Sequence, residues 1–553
     1  MTPQLNKGTA FTDDERQRYG LRGKLPIQVE TLKEQIQRCY AQFSSIDNLL
    51  RKNIFLNSLH DRNQVLFYRL VSEHLSEMMP TIYTPIVGNA VKQFSREFRQ
   101  PRGLYVSYPE IDHIDEILEN RSNPDIELIV VTDGEGVLGI GDQGVGGMDI
   151  PVAKLMVYTL CGGINPMSTL PILLDVGTNN QALLDDPMYL GWRHKRISGA
   201  EYDVFIEKFI AALERKFPQV FLHWEDFGRA NAQRYLSKYQ QRICTFNDDI
   251  QGTGIVTLAA LLAGVHATQS ELVDQRIVIY GAGTAGCGIA NEIFNAMQHQ
   301  GIPEATARNC FWLIDRYGLI IEDMDDLTTA QQRYARNRNE VAAWQVQDPQ
   351  NITLEEVVKH IKPTVLIGCS AQTEAFNRTI IEEMHQHVAR PIILPLSNPT
   401  EKAEATPSEL LHWTNGQALV ATGSPFDAVE FEGRTIRIAQ CNNALVFPGI
   451  GLGILAVKAS FLTDNMIWAA CQALSETAPI LKDPLAPLLP SLDNARKAAR
   501  NIAKSVAEQA KAENLARENI DRDIDEVLDE IMWHPEYLEY FQSVEEYEAS
   551  KTR

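Results

Sequence analysis

The sequence predicts an α/β protein, with a helical N-terminal domain followed by two parallel-sheet units. Three observations predict it. Val220–Gly254 (VFLHWEDFGRANAQRYLSKYQQRICTFNDDIQGTG) holds two short apolar runs, Val220–Trp224 and Ile243–Phe246, separated by the polar helical segment Asn231–Lys238. A strand–helix–strand pattern of this kind lays its two strands parallel. Farther on, Arg276–Tyr280 (RIVIY) runs into GAGTAG, then a helix at Ile289–Met297, then a strand at Phe311–Ile314 that ends on Asp315. By contrast, Met1–Gln100 alternates helical patterns with polar breaks and shows no convincing strand.

The bulk properties narrow the class. A chain of 553 residues, 44% hydrophobic and 22% charged, is ordinary globular material with length for several domains. A net charge of -21 argues against nucleic acid and anionic membranes as partners, and it requires a local cationic pocket for any anionic substrate. The N-terminal residues lack the charged-then-apolar order of a signal peptide. The most apolar run, Ala444–Val457, is short and broken by Pro448, Gly449, Gly451 and Gly453, unlike a membrane span. Eight cysteines without a CxxC pair read as reduced, buried residues of a cytoplasmic protein.

In chain order, Val65–Met79 is amphipathic and predicts one helix, with Pro80 just beyond its end. Ile126–Thr132 is a strand ending on Asp133. The loop after it, GEGVLGIGDQGVGG, contains G-x-G-x-x-G at Gly139, Gly141 and Gly144, with no clean strand–helix–strand–acid sequence around it. A tight loop near the site is the expectation there. Pro151–Leu160 is a helix whose one charged residue is Lys154. Either its stem lies on apolar surface while the amine reaches water, or it is a buried lysine available as a base. Leu170–Leu174 is a strand stopped by Asp175.

The two runs of the Val220–Gly254 stretch both end on acid, Glu225–Asp226 and Asp248–Asp249. Parallel strands put both pairs on one edge, where ligands of such sheets collect. Carboxylates gathered on one edge repel one another unless a cation holds them, and hard oxygen donors favour Mg²⁺ or Mn²⁺. Helix capping by the same acids is the alternative. The apolar helix Ile255–Val265 follows.

At RIVIYGAGTAG every contextual requirement of a dinucleotide fingerprint is met. Gly281, Gly283 and Gly286 suit a tight turn and close approach to pyrophosphate at a helix N-terminus, which defines a Rossmann-like NAD-binding unit. Asp315 is placed to accept from the ribose 2′-hydroxyl and to repel a 2′-phosphate, so NAD is expected over NADP, although Arg316 is adjacent. Strands Thr364–Ile367, Pro391–Leu396 and Ala418–Ala421 continue the sheet and end on GCS, SNP and TGSP. Those small and amide residues suit either a nicotinamide riboside or ordinary turns. Ser491–Trp533 is a helical tail rich in Ala, Lys and Glu.

Ten stretches together resemble the malic enzymes along nearly the whole chain. They are NKGTAFT, IYTPIVG, RGLYVS, VVTDGEGVLGIGDQGVGGMDIPVAKL, DVGTNN, WEDFG, FNDDIQGTG, GAGTAGCGIA, PLSNPT and NNALVFPGIG. The resemblance implies a helical domain at 1–101, a central parallel-sheet domain at 102–247 continued by 444–520, an NAD domain at 248–443 and a tail at 521–553. It implies oxidative decarboxylation of malate with NAD and Mn²⁺ or Mg²⁺, in homodimers or homotetramers. Position by position, Glu225, Asp226 and Asp249 match metal ligands, with Asp249 also facing the cofactor. Lys154 matches the general base and Tyr83 the general acid. Asn398, Asn442 and Asn443 match amides that contact cofactor and substrate.

Two positions depart from the pattern. Malic enzymes usually carry an arginine, touching substrate and cofactor, where this chain has Gly136, and commonly an asparagine where it has Arg229. Both departures resemble the malolactic enzymes, which convert malate to lactate and CO₂ with NAD kept bound. Arg102 and Arg229 are the candidates to replace the missing arginine. Arg62, in HDRNQ, matches a position that lines an effector site in some family members.

Overall fold

The computed structural model describes residues 2–137 and 139–540. They fall into two compact units, one built from the chain up to Ala90 together with the residues from Trp533 on, the other from Val91–Met532.

The first unit is helical, as its patterning predicts. Its main helices are Leu32–Ser44, Leu49–His60, Gln64–Glu73 and Leu75–Ile82. Thr31 and Glu34 form a reciprocal capping box, and Asn48 and Asn63 each cap the helix that follows. The expected single helix Val65–Met79 is two helices. The break falls at His74, whose ring stacks on Tyr40 at 3.9 Å, and Pro80 lies inside the second helix near its end. The proline therefore costs little helix, and tertiary stacking decides where the chain bends. The returning C-terminal segment is pinned by Tyr537, which donates to Gln35 (2.7 Å) and accepts from Asn63 (2.7 Å).

The second unit contains two sheets. In the first, β1 (Leu104–Ser107), β2 (Leu128–Thr132), β3 (Thr169–Asp175), β4 (Phe221–Trp224) and β5 (Thr245–Asn247) run in the order β1-β3-β2-β4-β5, all parallel. Strands β2, β4 and β5 are buried throughout. Buried on both faces, β2 reads in sequence as a nearly continuous apolar run, while β4 and β5 bury polar side chains as well.

The second sheet comprises β6 (Ile277–Tyr280), β7 (Phe311–Asp315), β8 (Gly318–Leu319), β9 (Val365–Gly368), β10 (Ile392–Pro395) and β11 (Leu419–Thr422). A separate hairpin of β12 (Val429–Phe431) and β13 (Arg434–Ile436) precedes the last strand, β14 (Ala439–Gln440). The order is β14-β11-β10-β9-β6-β7-β8, parallel except for the β7–β8 pair. The order reverses between β6 and β9, which creates the crevice where such sheets bind dinucleotides.

After β14 the chain returns to the helix Asp149–Gly162, through helices Phe447–Val457 and Ala495–Ala512. These two approach closely because small residues line the contact. A Cβ at Gly453 would lie 2.6 Å from the Ala503 carbonyl oxygen, and one at Gly449 2.8 Å from that of Ala499. The alanine-rich tail is thus a packing surface on one side, with Ala498, Ala499, Ala503 and Ala507 buried.

Candidate active site

Register builds the acid edge. Strands β4 and β5 pair with Trp224 beside Asn247, so Glu225–Asp226 and Asp248–Asp249 emerge side by side. Single ligand oxygens of Glu225, Asp226 and Asp249 lie within 4.8 Å of one another. The Asp226 backbone is left-handed, with φ 54°, a conformation Asp tolerates better than most residues. Its N–H donates to Asp249 Oδ2 at 2.9 Å. After β5 the chain makes one turn of π-helix, Asp248–Gly252, before the helix Thr253–Ala267. Asp248 folds over Gly252, where a Cβ would come within 2.1 Å of its Oδ1.

The fourth acid has a different partner. Lys154 projects from the helix Asp149–Gly162, is 2% exposed, and forms an ion pair with Asp248. Its Nζ is 3.1 Å from Glu225 Oε1 and 4.7 Å from the centre of the Phe447 ring. The reading of a stem on the surface with its amine in water is therefore wrong. The helix Asp149–Gly162 is buried on nearly every side, so its lysine has no route to solvent. Asn443 donates to Asp248 Oδ2 at 2.9 Å and so fixes this carboxylate from behind. Asn442 instead caps its own turn by accepting from the Ala444 N–H.

Electrostatics here are costly without a cation. Burial drives the Glu225 carboxyl up to about 8, against the opposing pull of Lys154. Asp249, half-buried by area but ringed by protein, is raised to about 7 by burial and by the charges of Glu225 and Asp248. Asp226 too is raised well above the ordinary carboxyl range, by burial and by the charge of Asp249. Its Oδ1 is buried with no hydrogen-bond partner. An all-oxygen donor set with an orphaned buried carboxylate oxygen fits a hard divalent cation such as Mg²⁺ or Mn²⁺.

The loop after β2 supports this edge. Gly136 N–H donates to the Asp226 carbonyl at 2.8 Å, and a Cβ on Gly136 would sit 2.6 Å from the Phe227 carbonyl oxygen. The backbone that carries a metal-ligand candidate thus packs on a residue without a side chain. Buried Arg196 ties the loop down through Asp133 (3.2 Å) and Asp142 (2.8 Å). A strand–helix–strand unit does surround this loop, contrary to the sequence expectation. Strand β2, the helix Asp149–Gly162 and β3 form one, and Asp175 ends it. Asp175 nevertheless accepts from the N–H groups of Trp192 (2.7 Å) and Gly177 (3.3 Å), so it serves the loop and not a ribose.

On the second sheet the fingerprint glycines divide their work. Gly281 has φ 102° and packs on the Cys369–Ser370 backbone, while a Cβ at Gly286 would meet the Gly281 carbonyl at 2.2 Å. Gly283 faces open space, at the N-terminus of the helix Thr284–His299. Asp315 ends β7 and accepts from Gln331 at 2.9 Å, while the Arg316 guanidinium lies over Tyr317. Asn398, after β10, accepts from Ser424 Oγ at 2.6 Å, which joins the SNP and TGSP turns.

The remaining candidates lie elsewhere. Arg102 stands just ahead of β1, and Arg229 begins the helix Arg229–Tyr239, its side chain outside the described residues. Tyr83 follows the helix Leu75–Ile82 in the first unit. Arg62 is in that unit too, its Nε donating to the Ser58 carbonyl at 3.0 Å. Sequence reading missed His223, Tyr158 and Arg196. The spacings Lys154/Tyr158 on a helix and His223/Glu225 on a strand were the available signals for the first two.

The family's N-terminal domain ("Malic enzyme, N-terminal domain") matches residues 60–240, and its "Malic enzyme, NAD binding domain" matches residues 250–511. An NAD-dependent malic enzyme of Pseudomonas syringae pv. syringae is 51% identical over 498 residues, 90% of this chain and 88% of that one. One of Vibrio parahaemolyticus is 51% identical over 492 residues, 89% of this chain and 87% of that one. Among solved structures, Entamoeba histolytica malic enzyme superposes with a TM-score of 0.55 at 21% identity, covering 96% of this chain and 91% of that one. The Pyrococcus horikoshii malic enzyme gives 0.54 at 23%, covering 82% and 88%. With both domains matched in order and half the residues identical across nine-tenths of its length, this chain belongs to the malic enzyme family.

Proposed function

We infer that this chain oxidises L-malate to pyruvate and CO₂ with reduction of NAD, using a divalent cation, Mn²⁺ or Mg²⁺. The observation that carries this reading is the division of four acids on one sheet edge, three converging on a point and one paired to a buried lysine. The names of the relatives support the substrate and the cofactor.

Glu225, Asp226 and Asp249 would hold the cation, which when bound polarises the oxygen on C2 and so favours both oxidation and loss of CO₂. Lys154 takes the proton of the C2 hydroxyl as C2 loses its hydride. It needs to be neutral at that moment. Held between Glu225 and Asp248, the ammonium loses one of its two counter-ions once Glu225 is engaged elsewhere, which favours the amine. Tyr83 supplies the proton that completes pyruvate at the enol carbon. Gly281, Gly283 and Gly286 admit the pyrophosphate, Asp315 takes the adenine ribose, and Asn398 is the amide candidate for contact with the cofactor. Asn442, Asn443, Arg102 and Arg229 are the candidates for the malate carboxylates.

A homodimer or homotetramer working in the cytoplasm, with no nucleic-acid or membrane partner, completes the proposal. Eight free cysteines support the compartment and the net charge of -21 the lack of a polyanionic partner, while the oligomer rests on the family resemblance alone. The test is NADH formation from malate and NAD before and after chelation. Activity should vanish with the cation and return on adding Mn²⁺. Full activity in chelator would refute the cation's part.

A further inference from the structure

A helix and a strand meet at the acid edge with different side-chain periods, and there they close a ring. Lys154 and Tyr158 are one turn apart on the helix Asp149–Gly162, and His223 lies on β4 two residues before Glu225, which follows the strand's end. Lys154 Nζ is 3.1 Å from Glu225 Oε1, and Glu225 Oε2 is 2.8 Å from His223 Nε2. His223 Nδ1 is in turn 2.8 Å from the Tyr158 hydroxyl. His223 and Tyr158 are both fully buried. The imidazole is boxed edge-on by Phe246 (5.4 Å) and Phe447 (5.7 Å), which fixes its plane.

The bonding pattern selects one form of the ring. An ionised Glu225 accepts from Nε2–H, which leaves Nδ1 to accept from the Tyr158 hydroxyl. Every polar atom of the imidazole is then satisfied. The reaction as derived above uses neither residue, yet a fully buried, fully bonded histidine beside a metal-ligand candidate is an expensive feature to place in a core.

We propose that His223, with Tyr158 behind it, is the positioning residue of the acid edge, holding the outer oxygen of Glu225 so that this carboxylate faces both the cation and Lys154. Lys154 is shared between Glu225 and Asp248, whereas the His223 ring is held in plane by Phe246 and Phe447 and backed by the Tyr158 hydroxyl. Partners that orient ligands in this way typically contribute about 10–100-fold to metal affinity. The inference rests on the cation reading given under Proposed function.

The experiment is a Mn²⁺ titration of the full chain followed by electron paramagnetic resonance, on the parent and on H223L, H223Q and Y158F. Leucine fills the space without donor or acceptor. Glutamine can donate to Glu225 and accept from Tyr158. H223L should bind Mn²⁺ about 10–100-fold more weakly, H223Q should stay close to the parent, and Y158F should fall between, with NADH affinity unchanged in all three. Y158F removes one oxygen and carries the same test should H223L not fold. Parent-like Mn²⁺ affinity in H223L and Y158F would overturn the inference while leaving the cation reading intact. So would H223Q as damaged as H223L, or a ¹⁴N coupling from imidazole to bound Mn²⁺, which would make His223 a direct ligand. A parent that binds no Mn²⁺ would overturn both readings together.

Discussion

The two sheets of the second unit each place a functional edge at the carboxyl ends of parallel strands, but they build it from opposite materials. The first edge is made of buried charge: three converging carboxyls, a lysine bonded to a fourth, and a histidine behind them. The second is made of backbone: an open glycine at a helix N-terminus, tight turns and short polar side chains. The difference follows from the tasks. Stabilising charge that develops on a small substrate needs fixed charges in a dry place. Holding a long, flat cofactor needs room and donors from the main chain. Damage to the first edge should therefore appear as lost turnover and lost cation, and damage to the second as weakened cofactor binding.

The largest effect is expected from D249N or E225Q, each of which removes one of the carboxylates proposed to hold the cation. Turnover should become undetectable while NADH still binds with parental affinity, as fluorescence titration would read. K154A should come next. Acid–base contributions run to about 10²–10⁴-fold in kcat, and NADH affinity should again be untouched. A K154A defect confined to cofactor binding would place the lysine on the wrong edge. D315A tests the second edge. Loss of a charged hydrogen bond is worth about 1.5–3 kcal/mol, so KM for NAD should rise by at least about tenfold with kcat little changed, and discrimination against NADP should relax.

Smaller effects refine the contrast. Glu225 and Asp249 are held above their unfolded values, at about 8 and 7, in the absence of a cation. Their contribution to stability is then present at low pH and lost as pH rises through that range. A cation takes the place of those protons. The Mn²⁺-induced rise in Tm should therefore grow between about pH 6 and pH 8.5, and binding should release protons. G136A should cost about 1–3 kcal/mol in urea unfolding, the usual penalty of overpacking, because its Cβ meets the Phe227 carbonyl. An arginine cannot enter at Gly136 on this backbone without moving Asp226 and Phe227.

Much of this was legible in the sequence, for reasons specific to each edge. The dinucleotide unit could be read because its chemistry is local: strand, glycines, helix, strand and acid follow in order, and Gly281, Gly286 and Asp315 stand where the pattern puts them. The acid edge could be read as far as its register, since both pairs follow apolar runs. How the four acids divide came from the family resemblance and not from the local pattern, because Asp248 is turned to Lys154 by a π-turn and by Asn443, from distant parts of the chain. Nor was the break at His74 visible, since it depends on stacking against Tyr40. Lys154 fits either a surface or a buried lysine when its own helix is read alone, and what buries it arrives with Phe447, after the whole second sheet.

The most direct test is the product balance of one reaction. The purified chain is supplied with L-malate, NAD and Mn²⁺, and NADH, pyruvate and L-lactate are quantified over the same time course. Oxidative decarboxylation predicts NADH and pyruvate appearing in equal amounts, with no lactate and no reaction in chelator. Gly136 and Arg229 make the contrary outcome concrete. Stoichiometric lactate without accumulating NADH would mean that pyruvate stays bound and is reduced where it forms, and would contradict the oxidative assignment.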